Sequence, residues 1–122
     1  MNYLATTILF LVASSTASVF GQDTATQYST FFNEGVKKSG EQKFSEAIEL
    51  FNHALELKAD YTEALFARGQ CFLLTNERNK ACDDFDKCIK LGLKQASEYT
   101  KKYCGKDAPG RTMKPSAIIQ PK

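Results

Sequence analysis

Residues 28–92 read YSTFFNEGVKKSGEQKFSEAIELFNHALELKADYTEALFARGQCFLLTNERNKACDDFDKCIKLG, and they are one pattern written twice. Gly35 returns as Gly69, Ala47 as Ala81, Phe51 as Phe85 and Phe32 as Phe66. Ala54 returns as Cys88, Leu55 as Ile89, Leu57 as Leu91 and Phe31 as Leu65. Each pair is 34 residues apart, and self-similarity at a fixed period is the mark of a repeat architecture. The residue sizes give the physical reason. Gly35 and Ala47 let two helices approach closely, and Phe51 fills the space beside them. The second copy restores the same set.

The pattern resembles the tetratricopeptide repeat, a helix–turn–helix unit of this period. The first copy supplies Phe31, Gly35, Phe44, Ala47, Phe51 and Ala54, and the second Leu65, Gly69, Phe72, Ala81, Phe85 and Cys88. The likeness spans about residues 28–96 and has local departures. Lys38 stands where the second copy has Phe72, and Arg78 stands where the first has Phe44. Ala59 and Leu93 occupy the place of the proline that usually closes helix B. The resemblance implies an all-α fold, an α-solenoid of two repeats (residues 28–61 and 62–93) followed by a capping helix (94–104).

Local signals place the elements. The first helix A is expected from about residue 28 to 39, after a short frayed polar segment, 22–27. Residues 40–42 form the turn, and Ser45 is a plausible N-cap for helix B. Ala47, Ile48, Leu50, Phe51, Ala54, Leu55 and Leu57 make its apolar stripe. Asp60 and Glu63 have the spacing of a capping box for the second helix A. Residues 75–76 are the next turn, and the second helix B, about 77–91, carries Ala81, Cys82, Phe85, Cys88 and Ile89. Gly92 suits a left-handed C-terminal position. Tyr103 falls one period beyond Gly69, where a ring admits no further closely packed helix, so the third helix A is read as a cap. Residues 105–122 hold two glycines and three prolines without periodicity and read as a disordered tail. Ala117, Ile118 and Ile119 are a small apolar spot within it.

The chain has 122 residues, a net charge of +2 and 25% charged residues. Balanced charge leaves no nucleic-acid footprint. Residues 1–21 have no charged side chain, with an apolar run followed by small residues. That is the layout of a signal peptide, cut before Gln22 or earlier after Ala17. An exported protein, periplasmic or secreted, is expected. An uncleaved segment tethering it to a membrane is the alternative, although the apolar run is short for a span of about 20 residues.

Export would make the four cysteines disulfide candidates. Helix B of the second repeat and the cap would run antiparallel, and Cys82 and Cys104 each lie 11 residues from Leu93. Equidistance from a shared turn brings them level, so a Cys82–Cys104 disulfide is expected, with two unpaired buried thiols as the alternative. The ends of short exported bacterial members of the family look similar. Cys71 and Cys88 would lie far apart along the helix axes and are read as free and buried. No cysteine pair has the ligand gap of a zinc site, and His53 is the sole histidine. No metal and no cofactor are expected.

No nucleophile, base and orienting group come together, so no catalytic residue is assigned and the protein is not expected to be an enzyme. Binding remains. In the family, ligands lie along an inner face lined by helix A. The matching positions are Phe32, Val36 and Ser39, then Glu63, Phe66, Gln70 and Leu73. Phe32 and Val36 stand where the clamp for chaperone C-termini would need a lysine and an asparagine, so that ligand is not supported. An apolar groove for a protein or peptide partner is expected, with no small-molecule substrate. The competing reading is a self-assembling structural protein whose groove is its own oligomer interface, because two repeats are few for a stable stack. A third is a redox-active thiol protein using Cys71 or Cys88.

Overall fold

The computed structural model describes residues 23–105, which form an all-α array of five helices. The leader, Gln22 and the tail beyond Gly105 read from the sequence lie outside the described residues. The helices are α1 (Asp23–Gly40), α2 (Phe44–Leu57), α3 (Thr62–Leu74), α4 (Arg78–Lys90) and α5 (Ala96–Tyr103). Each packs on its neighbour in the chain, and α1 also touches α3. The first helices of the two units, α1 and α3, are therefore side by side, as a solenoid requires.

The expected packing is met at matching places in both units. A Cβ added to Gly35 would stand 2.6 Å from the Phe51 ring, and one added to Gly69 would stand 2.7 Å from the Phe85 ring. Ala47, Phe51 and Ala54 are fully buried, as are Ala81, Phe85 and Cys88. Ala64, Leu65, Cys71, Phe72 and Ala96 complete the core across the units.

The turns repeat too. Gln42 (φ 63°) and Asn76 (φ 64°), one period apart, are left-handed, as is Gly92 (φ 96°). At each, two N–H groups cap the helix before it. Lys43 N–H donates to Lys38 C=O and Gln42 N–H to Ser39 C=O. Glu77 to Phe72 and Asn76 to Leu73 do the same, as do Leu93 to Cys88 and Gly92 to Ile89. These are Schellman motifs that satisfy carbonyls left over at a helix end.

Several expected boundaries shift. α1 starts at Asp23, so Asp23–Gln27 is helix and not a frayed segment. No glycine or proline interrupts those residues, Ser29 and Thr30 hydroxyls donate back to the Thr26 carbonyl, and Tyr28 packs edge-on against Tyr61. Ser45 lies inside α2, whose N-cap is Lys43, and the Asp60–Glu63 capping box is not formed because α3 begins from Tyr61. α5 is shorter than the expected 94–104.

Two apolar assignments also change. Leu57 and Ile89 are 38% and 39% exposed although both belong to apolar stripes. Leu55, on the helix B that a second unit follows, is only 9% exposed. Its counterpart Ile89 has no third helix B to cover it among the described residues, since α5 is a single short helix.

Candidate functional site

The helix face read as a binding groove is built from α1 and α3. Phe32 is half-buried, its ring centroid 5.9 Å from Phe51 and 5.0 Å from Tyr61. Phe66 repeats this one unit on, at 5.7 Å from Phe85 and 5.1 Å from Tyr99. Tyr99 of α5 also sits 5.1 Å from Phe85, and its hydroxyl accepts a 2.9 Å hydrogen bond from the Gln70 amide. α5 thus lies over Phe66 and Gln70. Ser39 faces α3, its hydroxyl oxygen accepting a 3.5 Å hydrogen bond from the Cys71 thiol. Leu73 is half-buried. Val36, 48% exposed, and Glu63 stand open to solvent.

The seven residues therefore divide by physical role. Phe32, Ser39, Phe66 and Gln70 make contacts that hold neighbouring units together. Val36 and Glu63 are the members presented outright. The two phenylalanines of the expected groove are half-buried, with Tyr61 tilted against Phe32 and Tyr99 edge-on against Phe66.

Cys82 and Cys104 are disulfide-bonded, with Cα atoms 5.7 Å apart, which ties α4 to the residue after α5. Cys71 and Cys88 are free and buried. Burial pushes the Cys71 thiol pKa up, against a smaller opposing effect of the Ser39 hydrogen bond. Burial, with the nearby Asp84 charge, raises that of Cys88 to about 11. Neither thiol is poised as a nucleophile, since the thiolate is the reactive form.

One polar group inside the fold escaped the sequence reading. Arg68 of α3 binds Asp84 of α4 through two nitrogens, at 2.8 and 2.7 Å, and donates to the Asn52 side chain of α2 at 2.7 Å. Asp84 is 2% exposed. This fork joins three helices across both units. A signal existed. Arg68 and Asp84 are each eight residues from Asn76, and Asn52 and Arg68 are each eight from Asp60. The equidistance that levels Cys82 with Cys104 levels these as well. No group of three or more His, Cys, Asp or Glu side chains suited to a metal occurs among the described residues.

No family model matches the chain. Over 50 residues, 41% of its length, the chain is 44% identical to the peptidyl-prolyl cis-trans isomerase FKBP4 of Mus musculus, and equally to that of Rattus norvegicus. The match spans 11% of those proteins, so the chain resembles a small part of each.

Proposed function

We propose that the chain is a tetratricopeptide-repeat adaptor that binds a protein partner outside the cytoplasm and carries out no chemistry of its own. The observation that carries this reading is the glycine–phenylalanine contact made twice, Gly35 on Phe51 and Gly69 on Phe85, at one 34-residue offset. It is reinforced by left-handed turns at the same offset. Arrays of such units present a continuous helical surface whose natural use is recognition of another chain. The disulfide suits an oxidising compartment. No helix among the described residues is long and apolar enough to cross a membrane. Inert buried thiols fit a module that binds rather than reacts.

The partner contact is centred on Val36, the exposed apolar residue of this face, with exposed Glu63 and half-buried Leu73 as its other open members. The test is a photo-crosslinking amino acid placed at Val36, compared with the same group at exposed Glu49, in the native host. A discrete adduct with another protein from position 36 alone is the expected result. An adduct only with a second copy of the chain would replace the adaptor by the self-assembling structural protein. Equal labelling from both positions would remove Val36 from the interface.

A further inference from the structure

We propose a second docking site, for a short acidic peptide with an aliphatic anchor, in the groove between the α2–α3 turn and the end of α4. The groove is a shallow, open depression of about 320 Å³. Ala59, Leu65 and Leu91 form its apolar wall, with Lys87, Lys90 and Asp60 at the rim. None of these belongs to the α1 and α3 face assigned above, so the site is independent of that reading.

Its origin lies in one departure between the two copies. Ala59 holds the place that Leu93 holds a period later. Leu93 packs against the core, whereas Ala59 is an exposed methyl. The smaller side chain leaves the joint between the units open, and Leu91, 47% exposed, forms its lip. There is room for an aliphatic side chain, whose burial would supply the anchoring energy.

The rim chooses the ligand's charge. Lys87 and Lys90 lie one turn apart on α4, and neither is ion-paired among the described residues. Asp60 is the only acid in the lining. An apolar floor with a net positive rim is complementary to an aliphatic residue flanked by carboxylates. The chain's own residues beyond Gly105 are poorly matched, with Lys106, Arg111, Lys114 and Lys122 against the single acid Asp107. A flat anionic membrane would meet only two cations and leave the concave floor unfilled.

The experiment is an NMR titration of the full, oxidised, ¹⁵N-labelled chain with acetyl-Glu-Glu-Leu-Leu-Glu-Glu-amide. Two control peptides replace all Glu by Lys or both Leu by Ser. Saturable shifts clustered at Ala59, Leu65 and Leu91, at least about tenfold weaker with either control, are expected. Ala59→Leu, which copies the residue at the next joint, should abolish them. K87E combined with K90E should reverse the preference toward the lysine peptide, and Val36→Glu should change nothing. Shifts unaffected by both groove variants, or no saturable shifts, would overturn the proposal. So would binding to phosphatidylserine vesicles that needs Lys87 and Lys90 while the peptide gives no shift, which would make the patch a membrane contact. None of these results bears on the crosslinking at Val36.

Discussion

Gly35 and Gly69 are kept free of a side chain by the rings they face. In an exposed helix, alanine is better than glycine by about 1 kcal/mol. At Gly69 the added methyl would meet a fully buried Phe85 ring that Phe66 and Tyr99 hem in, so the ring has nowhere to retreat. Overpacking of this kind costs ~1–3 kcal/mol. Gly69→Ala should lower the urea midpoint, and adding Phe85→Leu should recover part of the loss. Gly40→Ala is the contrast, because its Cβ meets nothing within 4 Å; it should raise the midpoint. Gln42 holds a left-handed conformation that its counterpart Asn76 tolerates better. Gln42→Gly should stabilise the chain by about 1 kcal/mol, read from the same denaturation curve. Arg68→Met should cost ~3–5 kcal/mol by leaving the buried Asp84 carboxylate alone. Pairing it with Asp84→Leu should restore most of that. An uncooperative double variant would show that the fork contributes little.

At the scale of elements, α5 is the one that depends on a covalent tie. Its eight residues are too few to hold a helix in isolation. It is held by Ala96, by Tyr99 on Phe66 and Phe85, and by Cys82–Cys104. Removing the crosslink with Cys82→Ala and Cys104→Ala should cost ~3 kcal/mol. Hydrogen exchange should then show α5 amides losing protection while α1 and α2 keep theirs, because local stability follows local contacts. Equal loss in every helix would mean that the array unfolds as one unit. The helices themselves were legible from residue spacing, whereas their starts were not. Ser45 and Asp60 are common capping types, yet α2 and α3 begin from Lys43 and Tyr61 without side-chain caps. Tyr61, from which α3 begins, is packed against Phe32 and Tyr28 of α1.

For the whole molecule, the buried thiol of Cys88 couples stability to alkaline pH. Its folded pKa, about 11, lies above the ordinary 9.0. The folded state therefore holds the proton more tightly than the unfolded one. The stability this confers is fully present below pH 9, shrinks as pH climbs, and is gone once pH passes about 11. Urea midpoints at pH 8, 10 and 11 should fall further for the native chain than for Cys88→Ala, a substitution that reproduces Ala54 at the matching place of the first unit. Parallel decline in both would assign the loss to other groups. The free thiols should also resist alkylation until the chain unfolds, as expected of protonated, inaccessible sulfur.

Sequence by itself determined the 34-residue repeat, and the resemblance that repeat carries implied the all-α class. Spacing also brought Cys82 level with Cys104, while the tertiary structure decided that they are bonded and not two free thiols. The resemblance also implied the helix face of Phe32, Val36 and Phe66. Which of those side chains remains open was decided by the tertiary structure. Tyr61, at the start of α3, and Tyr99, of α5, pack against Phe32 and Phe66, while Val36 is left 48% exposed. The Arg68 fork and the groove beside Ala59 arose the same way, from contacts between units whose residue types do not repeat. Periodicity reports what the units have in common, and burial at their joints depends on what differs between them.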